Sequence, residues 1–382
     1  MKTTINSIAF VVAVVCLFSC KTKDYRCDEM VSMCVIDTAI EVKISCPEEW
    51  TKTNKIIIWS LPPLTDEFFH DSDSIINKKD GWMPPILRQA LLDAGYVNIE
   101  YIGRNDSVMF MGRKYRASDS NTQANDLESL LNYIHSNNRL KNKKIILVGY
   151  SEGGDTNIKV ASKRQDDIAA LLQLASRSLS GIQTSEYQRE KVGYFDFLIR
   201  TFKPDFFDKP INEMSSLDSN HTGDIEGVKQ FFKENILPIE KFIYEFKNMD
   251  SVYFHIDLYL RDRWQKEDEK TKNSWENNFD SYYQAFAGNI TPQQITLKTI
   301  KPERYYPLIK CPVLAVQGTE DERIDCYPNM DQMEQLLKNR GNSNFKKIIL
   351  EGYNHNLAKW DGSGYYVDES VIQEIIEWVN GQ

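Results

Sequence analysis

Residues 143–154 read KKIILVGYSEGG, an apolar run that ends at a serine flanked by glycines. The run 145–148 has the length and composition of a buried strand, and helical periodicity follows the serine. A strand-to-helix turn this sharp brings neighbouring backbones close together, and side chains at Gly149 and Gly153 would obstruct that approach. The sequence therefore predicts that Ser151 lies on a strained turn, where its hydroxyl can serve as a nucleophile.

The motif GYSEG also has a plainer interpretation, in which Ser151 caps the helix that begins at Glu152, because serine is a preferred N-cap residue. Residues further along the chain favour the chemical interpretation. In the chain order Ser, Asp or Glu, His, the histidine comes last. Of the five histidines, only His355 lies near the C-terminus, beyond a plausible acid. Elimination therefore selects His355.

The acid is expected on a loop that follows a late core strand. Residues 311–317, CPVLAVQ, have the pattern of such a buried strand, and a turn follows them. Asp321 in that turn is the predicted acid, with Glu320 and Asp325 as weaker candidates. His355 follows another predicted strand. Since open parallel sheets bind ligands at the carboxyl ends of their strands, both groups are expected at one edge of the sheet.

These segments resemble the α/β-hydrolase superfamily, in particular bacterial esterases, acyl-CoA thioesterases and dienelactone-hydrolase-like enzymes. The resemblance is carried by residues 143–154 and by 306–314, YPLIKCPVL, which leads into Asp321. It implies an α/β fold with a mostly parallel central sheet, helices on both faces and an inserted helical cap. It also implies that Ser151 attacks a carbonyl, that His355 carries its proton, and that Asp321 orients His355.

The predicted oxyanion hole is where the chain departs from that family. One donor is expected to be the backbone N–H of Glu152, the residue after the serine. The second is expected after the early strand 55–59, where similar proteins often carry a glycine-rich turn and this chain has SLPPL at 60–64. Because proline has no N–H to donate, Leu61 is the best-placed donor and Leu64 the less favoured one.

Patterning divides the chain into five segments. They are a lipoprotein signal peptide at 1–19, a tether at 20–27, a first part of the core at 28–179, a helical cap insertion at 180–303 and a second part of the core at 304–382. Strands alternate with helices in both core parts, which indicates a parallel sheet covered on both faces. The insertion is rich in aromatic residues. These could line a substrate pocket, but we favour packing into a core of the cap itself.

Within the first core part, residues 30–37 and 40–46 show partial alternation and predict an antiparallel lead-in to the sheet. Residues 103–119 are polar and charged and are expected to form a loop. A last helix is expected from about Asp368, closing one face of the sheet.

The N-terminal residues predict the location of the protein. Lys2 precedes an apolar stretch at 8–18, which is too short to cross a bilayer, and residues 17–20, LFSC, resemble a bacterial lipobox. That resemblance implies lipidation of Cys20 and an exported, membrane-anchored lipoprotein in the periplasm or on the cell surface. An ordinary cleaved signal peptide would keep the export and lose the anchor.

Composition limits the possible partners. The formal net charge is −9 and no basic blocks occur, which argues against nucleic-acid binding. No Cys/His cluster has zinc-like spacing, so we expect no metal and no cofactor. The expected partners are a small ester-type substrate and, through the anchor, a membrane. Two functions remain open, a serine hydrolase acting on carboxylic esters, thioesters or peptides, and an inactive hydrolase-fold protein that binds or scaffolds.

Overall fold

The computed structural model describes most of the chain outside the N-terminal segment and much of the insertion. The described residues are 27–35, 38–47, 50, 53–63, 81–104, 107–110, 113–116, 118–188, 234, 238, 252–287 and 292–382. Cys20 and Leu64 lie outside these residues, as do the predicted signal peptide and most of the tether.

Twelve strands occur in the described residues. They are β1 (Cys27–Val35), β2 (Thr38–Cys46), β3 (Lys55–Ser60), β4 (Val97–Ile102), β5 (Ser107–Phe110), β6 (Arg113–Arg116), β7 (Lys144–Tyr150), β8 (Ile168–Leu174), β9 (Val313–Gly318), β10 (Phe345–Leu350), β11 (Lys359–Trp360) and β12 (Tyr365–Tyr366). Eight of them form one sheet in the order β1-β2-β4-β3-β7-β8-β9-β10. Strand β2 is antiparallel to β1 and β4, and the six strands from β4 to β10 in that order are parallel. The predicted fold class and antiparallel lead-in are confirmed.

The remaining strands form two small hairpins. One of them, β5 with β6, lies within residues 103–119, where a loop was expected. The prediction was wrong because residues 113–116, RKYR, are mostly charged and carry no apolar strand signal, yet they pair with the short apolar run SVMF at 107–110. The other hairpin pairs β11 with β12.

Ten α-helices are described. They are α1 (Met83–Asp93), α2 (Ser120–Ser136), α3 (Gly153–Lys163), α4 (Gly181–Gln188), α5 (Val252–Lys266), α6 (Glu269–Ser274), α7 (Phe279–Ala287), α8 (Pro292–Thr299), α9 (Cys326–Lys338) and α10 (Glu369–Asn380). Helices α2, α3 and α9 pack on one face of the sheet, and α1 and α10 pack on the other. In the central strand β3, Ile56 and Ile58 face the first layer while Ile57 and Trp59 face the second. Both faces are therefore buried, which explains the unbroken apolar run.

The described part of the predicted insertion is helical and contains α4 to α8. Tyr282 and Tyr283 of α7 are fully buried. The ring of Tyr282 lies 4.9 Å from that of Trp264 in α5, measured between ring centroids, and 6.3 Å from that of Phe279. These rings pack against one another, as the favoured interpretation of the sequence expected. Among the described residues, no helix combines the length and the apolar character needed to cross a membrane.

The turn between β7 and α3 depends on glycine. A Cβ atom added to Gly153 would overlap the carbonyl oxygen of Ser60, and one added to Gly154 would overlap the side chain of Ser176. At Gly149, an added Cβ would lie 2.6 Å from the Cα atom of Gly154. The predicted close approach of neighbouring backbones is confirmed, and it brings the start of α3 against the end of β3.

We expect Gly153→Ala to lower the free energy of unfolding by about 1–3 kcal/mol, because the new methyl group meets backbone atoms that cannot rotate away. Urea denaturation of the purified protein would measure the change. Gly381→Ala is the matched control, since a Cβ atom there would have its nearest neighbour at 3.4 Å. Equal stability of the two variants would contradict the close approach.

Candidate active site

Ser151 lies directly after β7 in a left-handed backbone conformation, with φ at 52°. Non-glycine residues rarely adopt this conformation, which must be held by its surroundings. The Ser151 N–H donates to the carbonyl of Leu174 at 2.9 Å, and its own carbonyl accepts from Gly154 N–H at 3.0 Å. Helix α3 begins two residues later with Glu152 as its N-cap residue. The alternative in which Ser151 merely caps this helix is therefore wrong.

The structure brings Ser151, His355 and Asp321 together from three separate parts of the chain. His355 Nε2 lies 2.9 Å from Ser151 Oγ. Its Nδ1 atom lies 2.9 Å from Asp321 Oδ1 and 3.0 Å from Oδ2. The other two acidic candidates lie elsewhere, since Glu320 is exposed and Asp325 is the N-cap residue of α9.

The positions of the three residues at strand ends explain why they lie close together. Ser151 follows β7, Asp321 follows β9 and His355 follows β10, so all three lie at the carboxyl edge of the parallel strands. The two later loops also bind each other directly, because the N–H of Glu320 donates to the carbonyl of Tyr353 at 2.9 Å. Backbone pairing thus places the aspartate beside the histidine.

The Asp321 carboxylate is held by several donors besides the imidazole. Oδ1 accepts from the N–H groups of Arg323 at 2.8 Å and Ile324 at 3.0 Å, while Oδ2 accepts from Gln317 Nε2 at 3.3 Å. Helix α4 adds a contact to the same loop, because the Tyr187 hydroxyl donates to the Asp321 carbonyl at 2.7 Å. This buried carboxylate is therefore fixed in its orientation toward His355.

Two opposing effects act on the pKa of His355. Burial lowers the pKa, because desolvation disfavours the imidazolium, whereas the charge of Asp321 and the hydrogen bond to it raise the pKa. Glu322, whose carboxylate accepts from the His355 N–H at 3.2 Å, acts in the same direction as Asp321. The net result is a pKa above the ordinary value of 6.5.

The two predicted oxyanion donors lie on adjoining segments. A Cβ atom added to Gly153 would lie 3.0 Å from the backbone nitrogen of Leu61, which places the end of β3 beside the Ser151 turn. Neither Leu61 N–H nor Glu152 N–H donates to an acceptor within the described part of the chain. The Leu61 carbonyl accepts from Gln123 Nε2 at 2.9 Å, which holds that peptide group in place.

A cavity of about 410 Å³ adjoins Ser151 and His355. Its walls come from the Ser151 turn, the Asp321 and His355 loops, and helices α4 and α8 of the insertion. The insertion therefore contributes to the space in which a substrate of Ser151 would lie. None of the clustered rings of α5 and α7 described above lines this cavity.

Sequence reasoning missed two features of the cavity. It chose Glu152 only for its backbone, yet the Glu152 carboxyl is buried in the wall and accepts from Gln293 Nε2 at 2.6 Å. Burial, with the nearby charge of Asp155, raises the pKa of Glu152 to about 8. The second feature is a buried ion pair between Arg177 and Asp155. A signal for the pair existed, since these residues follow the neighbouring strands β7 and β8.

Within the described ranges, no group of three or more His, Cys, Asp or Glu side chains is placed to hold a metal ion. Another described histidine, His135, pairs with Asp167 at 3.1 Å and lies away from the cavity.

No protein-family model and no curated protein matches the chain. Solved structures that match it over most of its length include an esterase from Pyrococcus furiosus, with 12% identity, 93% of this chain and 91% of that chain covered, and a TM-score of 0.50. Est1E from Butyrivibrio proteoclasticus matches at 14% identity over 92% and 98% of the two chains, with a TM-score of 0.47. A dienelactone hydrolase from Anabaena variabilis matches at 11% identity over 94% and 99%, with a TM-score of 0.46. At such low identity, the match to the P. furiosus esterase establishes a shared fold.

We expect Asp321→Asn to lower the pKa of His355, because the largest effect that opposes burial would be lost and only the smaller effect of the Glu322 carboxylate would remain. Titration of the imidazole Cε1–H resonance by NMR would measure the change. Glu320→Gln is the matched control, since it removes an exposed charge of the same loop. A His355 pKa that is unchanged or higher in Asp321→Asn would refute this account of its electrostatics.

Proposed function

This chain has the α/β-hydrolase fold, and from that premise we propose that it is a serine hydrolase that cleaves carboxylic esters through an acyl-enzyme. The observation that carries the proposal is the continuous hydrogen-bonded chain from Ser151 Oγ through the His355 imidazole to the Asp321 carboxylate. Fold alone would not support it, because this fold accommodates many functions.

In the proposed reaction, His355 Nε2 accepts the proton of Ser151 Oγ as the oxygen attacks the ester carbonyl. The tetrahedral intermediate collapses when the bond to the alcohol breaks and the imidazolium donates its proton to the departing oxygen. A water molecule then attacks the acyl-enzyme with His355 again as the base, which releases the acid and restores Ser151. The short distance between Nε2 and Oγ suits both proton transfers.

Asp321 supports these steps without reacting itself. Its carboxylate accepts from Nδ1–H, which leaves Nε2 as the basic nitrogen facing Ser151. Its charge also stabilises the imidazolium that forms during the attack. The backbone donors that fix Asp321 keep this geometry ready before substrate arrives.

We assign the oxyanion hole to the backbone N–H groups of Leu61 and Glu152. Each such donor is worth about 3–4 kcal/mol of transition-state stabilisation in acyl-transfer enzymes. Pro62 lines the cavity next to Leu61 and restricts the backbone there. The bond from Gln123 to the Leu61 carbonyl then performs the orienting task for which similar proteins use a glycine-rich turn.

A second candidate is a hydrolase-fold protein that binds its ligand without turnover. The SLPPL loop at 60–64 favours this alternative, because it replaces the usual glycine-rich turn. Retention of the complete hydrogen-bonded chain supports the hydrolase instead. Thioesters and peptides are further carbonyl substrates open to the same chemistry.

We also propose that the protein is exported and held at a membrane by lipid attached to Cys20. The supporting features are the apolar stretch at 8–18 and the lipobox-like LFSC at 17–20. A lipid anchor would hold the hydrolase at the periplasmic or cell surface without a spanning helix.

We expect Ser151→Ala and His355→Ala each to lower kcat for a small activated ester by about 10³- to 10⁶-fold, because nucleophile and base act as a unit. Hydrolysis of p-nitrophenyl acetate would measure this, and a fluorophosphonate probe should label the unchanged protein but not Ser151→Ala. Ser136→Ala is the control, since its exposed hydroxyl donates to the Tyr133 carbonyl of its own helix. Failure of the well-folded, unchanged protein to react with the probe would favour the non-catalytic alternative.

For the anchor, we expect Cys20→Ala to move the protein from the membrane fraction to the soluble exported fraction. It should also abolish incorporation of a labelled fatty acid, because the thiol is the acylation site. Cys16→Ala, a change within the predicted signal peptide, should keep both properties. If Cys20→Ala protein remained in the membrane fraction and still incorporated the label, this anchor would be ruled out. If the protein without substitutions were exported but took up no label, an ordinary signal peptide would be indicated.

A further inference from the structure

The last two residues of α4 bind the loop that carries Asp321. The Tyr187 hydroxyl donates to the Asp321 carbonyl at 2.7 Å, and Gln188 Nε2 donates to the Arg323 carbonyl at 3.0 Å. The first of these donors lies 134 positions before its acceptor in the chain, and the second lies 135 positions before. Two consecutive side chains of the insertion therefore hold the backbone on both sides of Glu322.

These two bonds differ from those that hold the Asp321 carboxylate. The N–H groups of Arg323 and Ile324, which donate to Asp321 Oδ1, belong to the same turn. They fix the carboxylate relative to its own loop and move with that loop. The position of the whole loop beside His355 depends on contacts that come from other parts of the fold.

Both the sheet and the insertion supply such contacts. From β9, Gln317 Nε2 donates to the Ile324 carbonyl at 2.9 Å. From the loop itself, the Glu320 N–H donates to the Tyr353 carbonyl of the segment after β10 at 2.9 Å. Helix α4 adds two more bonds, and these are the ones directed to the carbonyls of residues 321 and 323. The insertion thus restrains the turn that contains the aspartate.

The start of α4 is fixed to α8, so the helix is held at both ends. The Gly181 N–H donates to the Ile300 carbonyl at 3.3 Å, and a Cβ atom added to Gly181 would overlap the Leu297 carbonyl oxygen. That oxygen accepts from Arg177 Nη1 at 3.0 Å, which connects α8 to the segment after β8. A helix anchored in this way can keep the Asp321 loop in place, whereas a free helix would follow the movements of the loop.

Helix α4 also contributes Thr184, Ser185 and Gln188 to the lining of the cavity. Tyr187 is not among the described lining residues. The Tyr187 hydroxyl therefore acts on the Asp321 loop, while its neighbours on the helix face the space beside Ser151. Removal of this hydroxyl separates an effect on the loop from an effect on the cavity walls.

We propose that Tyr187 and Gln188 are positioning residues that hold Asp321 against His355, so that the insertion contributes to the geometry of the triad as well as to the walls of the cavity. This inference rests on the proposed function, because the triad is that of the proposed hydrolase. Misplacement of catalytic groups by about 1 Å lowers rates by about 100-fold in enzymes, and the two bonds restrict such a displacement.

A displaced loop would change the titration of His355. Burial lowers the pKa of His355, whereas the charge of Asp321 and the hydrogen bond to it raise the pKa. If the carboxylate moves away from the imidazole, both raising effects weaken and the pKa falls. A contact that only stabilised the insertion would change the free energy of unfolding and leave this pKa unaltered.

The test removes one donor at a time. Tyr187→Phe should lower kcat for p-nitrophenyl acetate about threefold to tenfold with KM nearly unchanged, since one hydrogen bond is lost and the cavity lining is intact. NMR titration should give a His355 pKa below that of the protein without substitutions, with a smaller shift than in Asp321→Asn. Gln188→Met keeps the length of the side chain and should shift the pKa in the same direction, so it provides the measurement if Tyr187→Phe does not fold.

The matched control is Tyr133→Phe, because the Tyr133 hydroxyl on α2 accepts from Asn137 Nδ2 at 3.1 Å, within the same segment of the chain. This change should leave both kcat and the pKa of His355 unaltered. In the double variant Tyr187→Phe/Gln188→Met, kcat should fall further than in either single variant, because both bonds from α4 to the loop are lost.

The outcomes separate this inference from the proposed function. If p-nitrophenyl acetate is hydrolysed in a Ser151-dependent manner but either kcat or the pKa of His355 is unaltered in Tyr187→Phe and Gln188→Met, the inference is overturned and the hydrolase stands. A rise in KM alone is one such result, since α4 would then act only on the cavity. If no ester is hydrolysed yet the pKa of His355 falls in these variants, the proposed function fails and the positioning role stands. Absence of both overturns both.

Discussion

Ser151 has a left-handed backbone conformation, and the geometry of the whole site follows from it. At a φ of 52° the chain turns sharply from β7 into α3, and the serine side chain leaves the sheet toward His355 instead of joining either face. This conformation is costly for a residue with a side chain. It persists because β3 and β8 contact the turn on both sides, and because Gly149 and Gly153 allow that contact. The position of the proposed nucleophile therefore depends on close packing of β3 and β8 against its turn.

A buried polar network connects the ends of the neighbouring strands β8 and β9. The side-chain amide of Asn329 in α9 donates to the Ser176 carbonyl at 3.0 Å and to Gln317 Oε1 at 2.8 Å. Gln317 in turn donates to Asp321. The segment after β8, the end of β9 and the aspartate loop are thereby joined through the side chains of Asn329 and Gln317. Each buried group in this network has a hydrogen-bond partner. Because hydrogen bonds are directional, the network fixes the position of Asp321 more closely than an apolar contact would.

The parts of the structure that local patterns encode could be predicted from the sequence. Apolar runs such as 145–148 identified the parallel strands, and chain order led to His355 and Asp321, which the structure places in contact with each other and, through His355, with Ser151. The cavity residues that α4 and α8 contribute could not be predicted in the same way. Their positions depend on how these two helices pack together, and sequence spacing does not determine that direction.

Glu152 shows why the side chains around a recognised motif need separate attention. The motif predicts that its N–H is a donor but gives no information about its carboxyl. That carboxyl is buried, because a residue on so tight a turn has little access to water. A charged carboxylate here would oppose the negative charge proposed to develop on the substrate oxygen beside it. Burial and the charge of Asp155 remove this conflict by raising the pKa of Glu152 to about 8, so the group remains neutral in more acidic solution.

The protonation state of His355 matters in the same way as that of Glu152. The base can accept a proton only above its own pKa, which lies above 6.5. The Glu152 carboxyl, by contrast, stays neutral only below its own pKa of about 8. Desolvation tends to keep both groups uncharged, and the Asp321 carboxylate opposes this effect only at the histidine. Two titratable residues that line one cavity thus differ in protonation, because the Asp321 carboxylate contacts His355 alone of the two.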